Sequence, residues 1–214
     1  MPNTIRNVFY KNLTFEKLYQ AHLRARKGKA QKLEIIKFEL NLENNIINLL
    51  NNIKNNTYKV GKYFSFVVYE PKERIIDSLP YVDRIVHQWY IEEFIKPYIV
   101  PKLISHTYAC ITNRGTHSAV SEVQRQLQIF KRNNGDNFYI LKCDIKKFFL
   151  NISPRILFTI LSKYISDKKL LDFTKILISN NTELDVGIPI GNYTSQFFAN
   201  IYLNELDQYI KHTL

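Results

Sequence analysis

The chain has 214 residues, 45% of them hydrophobic, so it is long enough to bury a core as one domain or two small ones. Its formal net charge of +11 favours an anionic partner, a nucleic acid or an acidic membrane surface, although AT-rich coding also produces such a Lys- and Asn-rich composition. With no signal segment or run of about 18 apolar residues, we expect a cytoplasmic protein without a membrane partner. Two distant cysteines exclude a structural zinc site, and we expect both Cys110 and Cys143 to be core thiols.

A helix followed by a basic segment is predicted near the start of the chain. Thr14 is a suitable N-cap for the apolar residues that recur at helical spacing after it. No acidic residue lies between Lys17 and Lys32, which is typical of contact with a nucleic acid backbone and equally of an ordinary solvated face. The candidate nucleic-acid-binding residues in this run are Arg24, Arg26, Lys27 and Lys29.

Helices and a hairpin are predicted next. Apolar spacing indicates a second helix over about residues 36–50. The aromatic and β-branched residues 63–70 predict a strand, which a polar connection at residues 71–74 joins to a second strand in a hairpin. An amphipathic helix then runs from Val82 to the region of Pro97, and another follows from His117.

An apolar run at residues 138–145 is typical of a buried strand, and it contains an acid near its end. A carboxylate at the exposed end of a buried strand is rigidly placed, and Mg²⁺ prefers such hard oxygen ligands. Asp144 is therefore a candidate metal ligand, although a lone aspartate at a strand end is more often a cap or a surface charge.

The last part of the chain contains a glycine-bearing loop between two predicted helices. Ser153 and Pro154 are suited to begin a helix as N-cap and first residue. Residues 187–196 (GIPIGNYTSQ) precede the last helix, and glycine there permits close approach of backbone to a base pair or phosphate. As an isolated pattern this loop is as often a plain turn. Strands and helices together predict an α+β fold.

Four stretches resemble the successive early motifs of prokaryotic reverse transcriptases. They are EPKERIIDSLPYVDRIVHQ (70–88), SHTYACITNRGTHSAV (105–120), LKCDIKKFFLNI (141–152) and GIPIGNYTSQFFANIYLNELD (187–207). The resemblance is greatest to the enzymes of diversity-generating retroelements, because Ile190 stands where group II intron and retron enzymes usually have glutamine. Orphan, phage-defence and group II intron-like reverse transcriptases are the alternatives.

The resemblance implies roles for individual residues. Asp144 would be the catalytic metal-binding aspartate, and the carbonyl of Ile145 a second ligand for Mg²⁺ or Mn²⁺. Phe149 would be the ring that excludes a 2′-hydroxyl, and Arg114 would replace a basic residue usual near Ile111. The implied nucleotide-binding residues are Lys72, Arg74, Phe149, Ile190, Gly191 and Gln196, and Arg84 and Arg114 join the nucleic-acid-binding set.

The resemblance also implies an organisation and partners. Residues 1–135 would be the fingers and residues 136–214 the first part of the palm, in a helix-rich α+β fold with a fingers hairpin and a palm sheet. Template RNA, cDNA, deoxynucleoside triphosphates and a small basic accessory protein are the expected partners of an error-prone enzyme. The family's Tyr-X-Asp-Asp motif does not occur before Leu214, so these residues alone are expected to be inactive. A catalytically inert nucleic-acid-binding module is the alternative.

Overall fold

The computed structural model describes residues 4–179 and 186–213, which form a helix-rich α+β fold with one β-hairpin. The first helices are α1 (Phe9–Asn12), α2 (Phe15–Arg26), α3 (Leu33–Glu39) and α4 (Leu42–Lys54), followed by the strands β1 (Phe64–Val68) and β2 (Arg74–Ser78). Next come α5 (Tyr81–Tyr90), a π-helical turn (Ile91–Ile95), α6 (Lys96–Tyr98) and a 3₁₀ turn (Val100–Lys102). The remaining helices are α7 (Thr116–Asn134), α8 (Phe148–Asn151), α9 (Pro154–Tyr164), α10 (Lys168–Ser179) and α11 (Tyr193–Thr213).

Local sequence signals set several of these elements. Thr14 Oγ1 accepts a hydrogen bond from the backbone N–H of Lys17 and so caps α2, as predicted. Ser153 caps α9 in the same way, with Pro154 as its first residue. The predicted hairpin is confirmed, and its strands pair antiparallel from Phe64 opposite Ser78 to Val68 opposite Arg74. The predicted helix over residues 36–50 is instead two helices, α3 and α4.

The core is an aromatic cluster around α5. The Trp89 ring lies 5.1 Å from Phe94 and 5.6 Å from Phe173, measured between ring centroids, and Phe9 packs at 5.7 Å from it. Trp89 also donates a hydrogen bond to the carbonyl of Asn12. Because α10 supplies Phe173 and α1 supplies Phe9, segments far apart in the sequence share one core. The described helices include none long and apolar enough to cross a membrane.

Two regions differ sharply in burial. The packed body, residues 4–107, 152–179 and 186–213, contains every buried side chain of the described protein. The exposed arm, residues 108–151, contains α7 and α8 and buries no side chain. Apolar residues on α7 such as Val120 and Phe130 are 60% and 47% exposed.

The predicted buried strand at residues 138–145 is not formed, and that prediction was wrong. These residues have no regular secondary structure, and Tyr139 and Leu141 are almost wholly exposed. An isolated strand is unstable because its backbone groups need a neighbouring strand, and within the described residues the only sheet is the β1–β2 hairpin. The predicted palm sheet is therefore absent from the described residues. Cys110 and Cys143 are exposed on the arm, so the expectation of core thiols was also wrong.

Candidate functional site

A cavity of about 350 Å³ lies between the loop at residues 27–32, the base of the hairpin, α5 and the start of α11. We refer to it as the basic cavity. It brings together four residues predicted from distant parts of the sequence, which are Lys29, Arg84, Gly191 and Gln196. A larger cavity of about 600 Å³ lies along α7, but none of the predicted site residues line it.

The segment from Gly187 to Gly191 connects two walls of the site through its backbone. The N–H groups of Gly187 and Ile188 donate to the carbonyls of Ile152 and Phe149, at 2.7 and 2.9 Å. At the other end, the N–H of Asp77 on β2 donates to the carbonyl of Ile190 at 2.8 Å. The segment therefore holds the hairpin beside the start of α11.

Gly191 is required at this position for two reasons. Its φ of +121° lies where side chains are rarely tolerated. A Cβ atom there would also come within 2.9 Å of Ile76 Cγ2 and 3.0 Å of the Asp77 carbonyl oxygen. Glycine thus allows the loop to lie directly against the hairpin and to form one edge of the basic cavity.

Buried polar contacts hold together the elements that form the cavity wall. Asn192 donates a hydrogen bond to the Tyr63 hydroxyl at 2.7 Å, and burial raises the pKa of Tyr63. Thr194 Oγ1 lies 2.9 Å from Nδ1 of His87 on α5. Burial lowers the pKa of His87 to about 3, so its imidazole is neutral near pH 7. These contacts fix the start of α11 to α5 and to the segment before β1.

Cationic side chains near the cavity differ in how strongly carboxylates neutralise them. Lys29 and Lys32 are exposed and line the cavity. Arg84 also lines it, but its guanidinium forms an ion pair with Glu34 and donates to the Leu79 carbonyl. The two lysines are therefore the better-placed cations for a phosphate group.

Two other predicted arginines are paired on the side of α2. Arg26 Nε lies 3.0 Å from Glu39 Oε1, and Arg24 lies 3.8 Å from Glu93 Oε1. Their charge is thus partly compensated, while Lys27 is exposed in the loop that follows α2. Contact between this basic run and phosphate stays a prediction. The lysines of the loop at residues 27–32 are its most accessible cations.

Several residues predicted to bind a nucleotide, and Arg114 of the predicted nucleic-acid-binding set, lie outside the basic cavity. Lys72 is in the exposed hairpin turn, and Arg74 is the exposed first residue of β2. Phe149 is half-buried on α8 against Phe148, with its carbonyl paired to the loop that leads to Gly191. Arg114 donates to the carbonyls of Ser105 and Thr107, and so it holds the start of the arm.

The predicted metal ligands lie on the exposed arm. Asp144 and Ile145 belong to the stretch that does not form a strand, and neither lines the basic cavity. Across residues 4–179 and 186–213, no three His, Cys, Asp or Glu side chains are grouped to hold a metal ion. One carboxylate with one backbone carbonyl does not supply the several oxygen ligands of an Mg²⁺ site, so the described residues do not fit this cofactor.

Sequence patterns did not reveal the polar residues that support the site. Tyr63 and His87 lie in segments predicted as strand and helix, and Thr194 lies in the predicted loop. Periodicity alone does not distinguish a buried polar contact from a core position. Cys110 Sγ, which lies 3.1 Å from Gln196 Oε1, was likewise missed.

No family model matches the chain, and no curated protein shows significant similarity to it.

Proposed function

We propose that the chain provides the fingers and first palm segment of an RNA-directed DNA polymerase, and that its basic cavity binds a nucleotide. The observation that carries the proposal is the convergence of Lys29, Arg84 and Gln196 on one cavity from three distant segments. Lysines suit a phosphate, amide side chains suit a base edge, and the nearby Phe66 ring suits stacking. The order of the four motifs supports the polymerase assignment.

The proposed class is that of diversity-generating retroelements, which copy a template RNA into cDNA with frequent errors. Ile190 supports this class, because its side chain cannot form the hydrogen bonds of a glutamine at the same position. Deoxynucleoside triphosphates and a small basic accessory protein belong to the proposal, and we expect the protein to act in the cytoplasm. The proposal also includes Mg²⁺ or Mn²⁺, for which Asp144 and the Ile145 carbonyl would be only part of the ligand set. We expect these 214 residues to bind nucleic acid without extending a primer.

A second candidate function is nucleic-acid binding without catalysis. The exposed stretch around Asp144 favours it, because among the described residues no three His, Cys, Asp or Glu side chains are grouped there. The coding DNA beyond Leu214 discriminates the two functions. An in-frame Tyr-X-Asp-Asp motif within a few tens of codons supports the polymerase, whereas an immediate stop codon supports the binding module.

Binding of an RNA template annealed to a DNA primer tests the shared part of both functions. We expect fluorescence anisotropy to show binding at about 50 mM salt that weakens steeply towards about 200 mM, because phosphate contacts release counterions. Replacing Lys27 and Lys29 together by alanine should weaken binding and reduce the slope of log K against log salt by about 2.

The matched control removes two cations from the exposed arm, in the Lys131→Ala, Arg132→Ala variant at the end of α7. This variant should bind as the unchanged protein does. Absence of binding at low salt, or an equal loss in both variants, contradicts the proposed function. Primer extension by the 214-residue chain would contradict the expectation that it is inactive alone.

A further inference from the structure

His87 has an unusual position in the wall of the basic cavity. Its side chain is almost completely buried, and it lines the cavity together with Arg84 and Gln88, which lie on the same face of α5. Nδ1 contacts the Thr194 hydroxyl, whereas Nε2 has no hydrogen-bond partner among the described residues. Buried polar atoms in proteins are nearly always paired, so an unpaired nitrogen on a residue that lines a cavity points to a ligand.

The protonation state of His87 restricts the chemistry of that ligand. A neutral imidazole has one nitrogen that donates and one that accepts, and the Thr194 contact determines which role is left for Nε2. A cationic side chain would bind a phosphate more strongly than a neutral imidazole does. A base edge, which carries neutral donors and acceptors, matches a neutral ring nitrogen.

The other residues that line the cavity include the kinds of groups that a nucleotide requires. Lys29 and Lys32 supply positive charge from the loop, while Gln88 and Asn192 add neutral polar groups and Phe66 adds an aromatic ring. The volume of about 350 Å³ lies within the usual range of small-ligand sites, about 300–1,000 Å³. The cavity therefore combines cations that suit a phosphate with neutral polar groups that suit a base.

We infer that His87 is a specificity-determining residue, whose Nε2 hydrogen-bonds the base of a nucleotide with its phosphate on Lys29 and Lys32. The inference rests on the proposed function and deepens it by naming the residue that distinguishes bases. The nucleotide comes from a nucleic acid strand or from a free deoxynucleoside triphosphate, since both present the same base and phosphate.

Two substitutions separate the two ring nitrogens. His87→Asn keeps a polar atom near the position of Nδ1 for Thr194 and removes Nε2, whereas His87→Gln places a polar atom near the position of Nε2. Anisotropy with labelled 12-nucleotide strands of A, U or C should show that the unchanged protein prefers one base. His87→Asn should weaken binding of the preferred strand by about 5- to 10-fold and nearly abolish the preference, as loss of one hydrogen bond implies. The affinity of His87→Gln for the preferred strand should remain within about 3-fold of that of the unchanged protein.

The Lys29→Ala, Lys32→Ala variant tests the proposed function separately. It should weaken binding of all three strands alike and reduce the salt slope by about 1.4, the value for two contacts with a single strand. If the lysine variant behaves so while His87→Asn keeps the full base preference, the inference fails and the proposed function stands. If the unchanged protein binds no strand, the proposed function fails.

Competition identifies the source of the nucleotide, and either source supports the inference. Free deoxynucleoside triphosphates displace the labelled strand if the cavity binds them, and they leave it bound if the site takes a nucleotide of the strand.

A measurement on the unchanged protein guards against a variant that does not fold. In protein with ¹⁵N-labelled histidine, the Nε2 resonance of His87, assigned from its loss in His87→Gln, should shift when the preferred strand is added. An unchanged resonance at saturation overturns the inference.

Discussion

The packed body and the exposed arm contain similar kinds of residues, but only one of them buries its apolar side chains. Trp89 and Phe94 on the body are wholly buried, whereas Tyr139 and Leu141 on the arm lie in water. Apolar character alone therefore does not produce burial, because a helix or strand also needs a second surface to pack against. The candidate site divides along the same line, with the basic cavity on the body and Asp144 on the arm.

The largest expected contrast is between two apolar truncations. Trp89→Ala should lower the free energy of unfolding by about 3–5 kcal/mol, because it empties the aromatic core and leaves the Asn12 carbonyl without its hydrogen bond. Leu141→Ala on the arm should change it by less than about 0.5 kcal/mol, since Leu141 is 88% exposed. Urea unfolding followed by circular dichroism measures both. Equal losses would show that the arm is packed in solution and that the contrast is wrong.

The second contrast uses two aspartates. The Asp167 carboxylate accepts hydrogen bonds from the backbone N–H groups of Val8, Phe9 and Leu170, at 2.8, 3.0 and 3.2 Å. It thus caps α10 and fixes the start of the chain to it, so Asp167→Ala should cost about 3 kcal/mol. On the arm, the exposed Asp136 side chain forms an ion pair with Lys131, and Asp136→Ala should cost about 0–0.5 kcal/mol. A similar cost for both would remove the proposed anchoring role of Asp167.

Local signals in the sequence were sufficient to predict much of the body. The caps at Thr14 and Ser153 and the hairpin between residues 63 and 78 depend on a few neighbouring residues, and all three are confirmed. The helix α10 was not predicted. The break between α3 and α4 was also missed, because apolar spacing continues across it.

The site was predictable only in part, and the reason is physical. Glycine at Gly191 is a local requirement of the loop, so its motif could be recognised from sequence. The contact between Thr194 and His87 joins residues far apart in the chain, and nothing local marks it. The strand predicted around Asp144 failed for the same reason, since a strand depends on neighbours that its own residues do not specify.

The pH dependence of stability gives the third test of the body. Burial lowers the pKa of His87 to about 3, whereas an unfolded histidine titrates near 6.5, so the unfolded state binds more protons between these values. This stability is present above pH 6.5 and is lost as the pH falls, by about 2 kcal/mol between pH 7 and pH 5. Urea unfolding of the unchanged protein and of His87→Asn at both pH values isolates the contribution. Identical pH dependence in the two proteins would contradict it.

The smallest contrast compares two glycines. A Cβ atom on Gly61, in the body, would lie 2.8 Å from both Asp83 Oδ2 and Pro80 Cγ. It would also disturb the hydrogen bond that the Gly61 N–H donates to Asp83, so Gly61→Ala should cost about 1–2 kcal/mol. Gly115, which precedes α7 on the arm, has an extended backbone and no atom within 4 Å of an added Cβ.

Gly115→Ala should therefore change the free energy of unfolding by no more than about 0.5 kcal/mol. Both substitutions add a single methyl group. A difference between their effects on the free energy of unfolding therefore measures the packing around each glycine and not the chemistry of the new residue. If Gly115→Ala is as costly as Gly61→Ala, the start of α7 must pack against something in solution. The arm would then be a second packed region, and the lack of neighbouring structure would not explain why the strand around Asp144 fails to form.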